Sequence, residues 1–222
     1  MRFCDWICKG FVCFLCFLAY YGLRSMPLAA QSISFGVKAG TPATDGFQIN
    51  NQASNPASYS DDTPRYTIGP VFELHLPHHF SLGAEALYKP MRYDFFPFGF
   101  QSFRAETTAN SWQFPVLVRR YIATGIRPFV NGGISFSHIT GSSTTFTNGN
   151  FQTTGSAADL VSTGNHGFVA GAGLDYQKGP IHFQPEIRYT RWQHANFASA
   201  DGMLSSNLNS IEILFGVTFG KE

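Results

Sequence analysis

Alternation with a period of two residues constrains this chain more than any motif in it. From Ile181 to Arg191, Ile181, Phe183, Pro185, Ile187 and Tyr189 share one parity, and His182, Gln184, Glu186, Arg188 and Thr190 share the other. Successive side chains of a strand point to opposite faces, so this spacing specifies a strand with one apolar and one polar face. Seven more segments repeat it: 32–39, 65–74, 80–89, 112–119, 130–137, 168–176 and 210–219. In the last, Ile211, Ile213, Phe215, Val217 and Phe219 oppose Ser210, Glu212, Leu214, Gly216 and Thr218. Past position 31 no apolar stretch approaches 18 residues and no 3.6-residue period is sustained, which argues against transmembrane helices.

The connections separate a membrane barrel from a soluble β-domain. Residues 77–79, 123–126 and 177–180 are short turns, whereas 41–63, 91–109, 139–165 and 192–207 are long and polar. Strict alternation of short and long connections matches the turns and loops at the two ends of a membrane barrel. The polar face carries Lys38, Arg65, Lys89, Arg119 and Arg188 with Glu73, Glu85, Asp175, Glu186 and Glu212, five charges of each sign. In a membrane barrel such a face fills the lumen and the apolar face meets lipid. The expected fold is therefore all-β: an eight-stranded antiparallel up-and-down transmembrane β-barrel with both termini on the periplasmic side. Pro70, Pro115 and Pro185 each remove a ladder donor, so bulges are expected there. A lysine at lumen-facing Gln184 is expected to be better tolerated than one at lipid-facing Ile187.

Residues 1–30 read as a signal peptide, leaving 31–222 as the barrel domain. Arg2 and Lys9 lie in a short n-region, an apolar run extends from Phe11 to Leu23, and small residues close the segment at Ala29-Ala30. The run is shorter than the roughly 20 residues that a membrane-spanning helix needs. All four cysteines (Cys4, Cys8, Cys13 and Cys16) fall inside this segment. A mature chain without cysteine has no disulfide framework, thiolate metal site or cysteine nucleophile. Losing Arg2, Lys9, Arg24 and Asp5 from fifteen basic and fourteen acidic side chains leaves twelve and thirteen. That balance excludes the clustered basic excess of a nucleic-acid-binding surface.

The closing stretch Ile211-Glu212-Ile213-Leu214-Phe215-Gly216-Val217-Thr218-Phe219 resembles the last strand of small outer-membrane barrels of the OmpA/OmpX type. Segments 33–40, 171–176 and 185–189 are similar to the first, sixth and seventh strands of that family. The resemblance implies an outer-membrane location and partners among outer-membrane lipids and lipopolysaccharide. It also implies recognition of a C-terminal aromatic by the barrel-assembly machinery, although here Gly220-Lys221-Glu222 follow Phe219. The implied role is a non-enzymatic structural barrel displaying surface loops, whose ligand the sequence does not name. A narrow porin-like channel is the alternative, and a lipid A-modifying enzyme ranks third.

Lipid A deacylases on this scaffold use an outward-facing His-x-Ser near the extracellular rim. The His-x-Ser of this chain, His79-Phe80-Ser81, lies in the first short turn, at the opposite end. Of seven histidines, His75, His78 and His79 cluster locally, with no cysteine or carboxylate at metal-ligand spacing. No catalytic residue, metal or cofactor is therefore expected. Loop 91–109 holds Phe95, Phe96, Phe98, Phe100 and Phe103. These rings are expected to pack on one another along strands prolonged beyond the membrane, the alternative being a contact surface for a ligand.

Strand order places the eighth strand between the seventh and the first after closure. Counting from the membrane edges sets Glu212 between Arg188 and Lys38, with Glu186 and Glu85 compensating nearby charges. These five residues are the expected lumenal charge network. Intact mass or N-terminal sequencing of protein recovered from outer membranes should place the mature start at Gln31; retention of residues 1–30 refutes the assigned cleavage.

Overall fold

A strand with one apolar face still leaves two edges of unpaired N–H and C=O groups, and here the edges are removed by ring closure. The computed structural model describes residues 32–51, 57–97, 103–122 and 126–220. The expected signal segment and its cleavage point lie outside the described residues. In chain order the strands are β1 (Ser32–Pro42), β2 (Phe47–Ile49), β3 (Ser58–Asp61), β4 (Thr67–Leu76), β5 (Phe80–Glu85), β6 (Leu87–Phe96) and β7 (Phe103–Tyr121). Then follow β8 (Ile126–Asn148), β9 (Phe151–Gly155), β10 (Gly164–Lys178), β11 (Ile181–Trp192), β12 (Leu204–Ser206) and β13 (Asn209–Gly220). β5 and β6 are two stretches of one barrel strand. The ring runs β1, β4, β5/β6, β7, β8, β10, β11, β13 and back to β1, antiparallel at every step: an eight-stranded up-and-down barrel.

The faces fall as parity requires. Phe35 is 67 % exposed on the outer wall, while Ser34 and Lys38 of the same strand are 0 % exposed inside. The same holds on β11, where Phe183, Pro185, Ile187 and Tyr189 lie outside and His182, Gln184, Glu186 and Arg188 are buried. Small inward residues permit the tight curvature of so narrow a ring. A Cβ added at Gly36 would lie 1.9 Å from the Val217 carbonyl oxygen, and one at Gly69 1.8 Å from that of Ala86. Neither position has room for any side chain.

Two expectations are corrected. The register is unbroken through Pro70, Pro115 and Pro185, so none is a bulge; the shift lies between Thr108 and Asn110. The prolines are accommodated by local loss of pairing. Ala86 donates to the Pro70 carbonyl at 3.1 Å, Pro70 has no N–H to return, and the ribbon is interrupted there between β5 and β6. Opposite Pro185, the β10 ladder skips from Gly173–Glu186 to Tyr176–Phe183.

Strand continues past the membrane along 91–109 as expected; the second correction concerns 41–63 and 139–165, which also contain strand. β6, β7 and β8 run well past the apolar band, and β3 and β9 add to their edges to form a sheet ordered β3-β6-β7-β8-β9. Apolar content stops marking strands here because both faces of this extension lie outside the apolar wall. Within it Phe95 packs on Tyr59 at 4.7 Å between ring centres, while Phe98 and Phe100 lie outside the described residues.

The remaining loop segments fold inward as a lid. β2 pairs with β12, Leu160 bridges to Phe197, and Ala198 bridges to Ser205. Phe47, Tyr59, Tyr93, Ile139, Phe197 and Met203 form its buried apolar centre. Three ring pairs at 5.0–5.9 Å join Phe47, Tyr93 and Phe197 edge to face.

Ile187 is 61 % exposed in the middle of the apolar wall. Ile187→Lys should cost about 2–4 kcal/mol in a bilayer, read as loss of the compact, heat-modifiable band after refolding into vesicles. Full retention of that band by the variant would contradict the assignment of the outer face.

Candidate functional site

The inner parities of eight strands converge on a narrow lumen, which an ionic network fills. Lys38 of β1 donates through Nζ to Glu85 at 2.6 Å and to Glu186 at 2.7 Å. Arg188 of β11 grips the same two carboxylates, with a two-pronged contact to Glu85 at 2.7 and 2.9 Å and an Nε bond to Glu186 at 2.7 Å. Two cations and two carboxylates thus form a closed square, and all four side chains are at most 2 % exposed. Asn131 Nδ2 donates to the Glu186 oxygen that also receives the Arg188 Nε, at 2.9 Å.

Toward the short turns the network continues through Arg119. Its Nη1 donates to Glu73 at 2.7 Å, and Nη2 lies 3.8 Å from Glu186. Glu73 also accepts from the hydroxyls of Ser81 and Tyr121, the latter at 2.6 Å. Gln184 lies between this pair, accepting from Arg119 at 3.2 Å and donating to Glu73 at 3.3 Å. Gln184 is fully buried there, on the lumen side as expected, and a lysine in its place would meet both the Arg119 guanidinium and the Glu73 carboxylate. Lower still, Arg127 pairs with Asp175 at 2.5 Å, and His182 contacts the same carboxylate at 3.2 Å.

The structure brings Lys38, Glu85, Glu186 and Arg188 together but places Glu212 elsewhere. Lys38 is opposite Gly216 in the ladder, whereas Glu212 is opposite Pro42, four residues nearer the loops. At strand rise that is roughly 13 Å. Glu212 accepts from the Thr67 hydroxyl at 3.0 Å, and its cation is Lys89 at 3.6 Å. Arg188 does stand opposite Glu212 across the β11–β13 ladder, yet its guanidinium reaches across the lumen instead. Arg65 is likewise not lumenal: it is 60 % exposed and paired with Asp45. Arg127 holds the fifth inner cation, and its odd parity, shared with Asn131 and Ser135, was a signal available once β8 is begun at Ile126.

The histidine cluster divides. His75 faces the lumen beside Ser34 at 3.1 Å, while His78 and His79 build the turn with φ of 67° and 63°. Ser81 is buried and donates to Glu73, so His79-Phe80-Ser81 presents no outward hydroxyl. Among the described residues no group of three or more His, Cys, Asp or Glu side chains is arranged to hold a metal ion.

Between the network and the lid lies a polar vestibule of about 50 Å³, lined in part by Lys89, Ser111, Gln113, Asn165, Trp192 and Ser210. In the lid, burial and then the charges of Asp159 and Asp201 push the Tyr59 phenol up to about 12. Hydrogen bonds from the Ser199 hydroxyl and the Met203 amide lower the Asp201 carboxyl.

A closed antiparallel ring with an apolar outer wall and a charge-balanced interior is the architecture of a membrane-spanning barrel. The chain belongs to the outer membrane protein beta-barrel domain family, whose model matches residues 29–191, and its location is the bacterial outer membrane. OprG of Pseudomonas aeruginosa superposes with a TM-score of 0.55 at 10 % identity, covering 86 % of this chain and 95 % of that one. Ail of Yersinia pestis, solved with the heparin analogue sucrose octasulfate, gives 0.43 at 8 % identity over 86 % and 97 % of the two chains. Neisserial surface protein A gives 0.40 at 10 % identity over 85 % and 96 %. At these identities the likeness is one of fold. No curated protein matches the chain in sequence.

Removing one member of the square leaves a buried charge uncompensated. Glu85→Gln should destabilise the barrel by about 3–5 kcal/mol, measured as a fall in the urea midpoint of refolded protein. Adding Lys38→Met to that variant should recover part of the loss. Equal midpoints for native protein and Glu85→Gln would show that the network contributes nothing to stability.

Proposed function

We propose that this protein is a closed, non-enzymatic barrel that holds its loop-end sheet and lid at the cell surface. The observation that carries the reading is the filled lumen. Eight strands leave an interior only wide enough for side chains, and here five cations and five carboxylates occupy it: Lys38, Lys89, Arg119, Arg127 and Arg188 with Glu73, Glu85, Asp175, Glu186 and Glu212. The apolar lid lies across the loop end as a second barrier. Solute passage would require breaking buried ion pairs and opening the lid together.

The extended sheet supports the display half of the reading. All five residues of β9 are exposed, and the ladders of β7 and β8 hold the extension in a defined register. Loops built for recognition are usually carried on a rigid scaffold in this way. In this reading the long loops face outward, the termini are periplasmic, and surface partners meet the sheet rather than the lumen. The inward Ser81 and the turn-forming His79 support the non-enzymatic assignment.

Planar-bilayer recording on refolded protein should show small, intermittent events, and steady large steps would replace this reading by the porin-like one. The described residues contain no cysteine. Thr153→Cys on β9 should therefore react on intact cells with a membrane-impermeant maleimide. Labelling that requires broken cells would reverse the orientation.

A further inference from the structure

The outer walls of β8, β10, β11 and β13 end on the loop side in His138, His166, Arg191 and Asn209. Phe136, Phe168, Tyr189 and Ile211 are the exposed apolar residues immediately turn-ward on the same strands. Polar groups thus succeed hydrocarbon-facing ones at a single collar.

The register gathers the basic members. His166 stands opposite Phe136, two residues turn-ward of His138, and Arg191 stands opposite Phe168, two residues turn-ward of His166. The three are therefore diagonal neighbours, about 7–8 Å apart from strand to strand. Strand tilt in a small barrel turns such a diagonal toward the plane of the rim. Arg191 is held ready: its Nη1 donates to Asn209 Oδ1 at 2.9 Å, and the Tyr189 hydroxyl donates to the same atom at 2.7 Å. Among the described residues the rings of His138 and His166 have no hydrogen-bond partner, and Arg191 has no ion pair.

The rest of the collar is built differently. Just before β4 and along β6 and β7 it is aromatic, with Tyr66, Tyr88 and Trp112 spaced at 6.3 and 5.4 Å. The cations near that sector are neutralised, Arg65 by Asp45 and Arg92 by Asp62 and Glu106. No outward residue of β8, β10, β11 or β13 within the apolar wall or its collar is acidic. One side of the barrel therefore presents unneutralised basic groups at the height where lipid headgroups begin.

We propose that this sector is a binding site for a phosphorylated glycolipid of the lipid A type. Arg191 and His166 take one phosphate, His138 lies within reach of the second, and Phe168 and Tyr189 pack against the junction of sugar and acyl chains. A guanidinium suits this task because its planar fork donates two parallel hydrogen bonds to phosphate oxygens. The inference rests on the outward orientation of the long loops, which puts the collar in the leaflet where such a glycolipid resides.

The test uses the refolded barrel in an uncharged detergent, with native mass spectrometry reading retained lipid. Diphosphoryl lipid A, monophosphoryl lipid A, phosphatidylglycerol and phosphatidylcholine are offered in turn. Diphosphoryl lipid A should be retained most, and the double variant Arg191→Gln/His166→Gln should lose about tenfold in affinity, the scale of charge-assisted hydrogen bonds. Arg191→Lys should lose part of it, and Arg120→Gln, a lipid-facing cation over Phe80 at the turn end, none. A heat-modifiability gel confirms that each variant is folded. Phosphatidylglycerol bound as tightly as diphosphoryl lipid A, or undiminished binding by the double variant, would overturn the site. Detergent has no sidedness, so failure here condemns the site whatever the orientation. Failure of external labelling at Thr153→Cys instead condemns the display reading, and the outer-leaflet assignment with it.

Discussion

Hydrocarbon offers no partner to a backbone N–H or C=O, and an unsatisfied pair costs several kcal/mol. Every other feature of this protein is subordinate to that constraint. A strand cannot satisfy it alone, and a sheet cannot satisfy it at its edges, so the ladder from β1 must return to β1 through β13. Closure with only eight strands then sets a small radius. The small radius explains the inward glycines, such as Gly36 and Gly69, where no Cβ fits. It also forces inward side chains into contact across the lumen, and this turns a list of charges into a network.

Filling so narrow a lumen with charge carries a desolvation cost, and the geometry offsets it. Lys38 and Arg188 each bridge Glu85 and Glu186, so no member of the square depends on a single partner. Arg119 links that square to Glu73, which Ser81 and Tyr121 complete with hydroxyl donors. An apolar filling would satisfy packing equally well and would not need matched partners. The ionic version specifies register instead, because a slip of one residue would send each of these groups into lipid. The lid obeys the opposite logic, with aromatic rings from β2, β6 and the segment before β12 excluding water at the loop end.

The outer wall divides along its circumference. Three aromatic rings form the collar over β4 to β7, whereas basic side chains without acidic partners form it over β8 to β11. A barrel that served only to span the membrane would have no need of this asymmetry. Combined with a sheet rising above β6, β7 and β8, it gives the molecule a distinguishable front and back in the plane of the membrane.

Parity made the eight strands, their facing and the charge balance of the interior legible in the sequence, because strand side chains alternate whatever the tertiary context. Four of the five residues assigned to the central network meet for that reason. Height was not legible. Glu212 pairs with Lys89 and Thr67 rather than with Lys38 because register across β1 and β13 is set by the whole ring, not by counting from the ends of each strand. Arg127 escapes the sequence for a related reason: apolar alternation becomes visible only from Val130, so the start of β8 before it has no assigned face. Outside 91–109 the loop-end sheet is not legible in the sequence, because apolar alternation fades where no lipid faces the strand while the backbone ladder continues. Alternation thus determined which groups lie inside, and only the closed tertiary structure decided which of them meet, since pairing across a lumen depends on tilt and stagger that no single strand encodes.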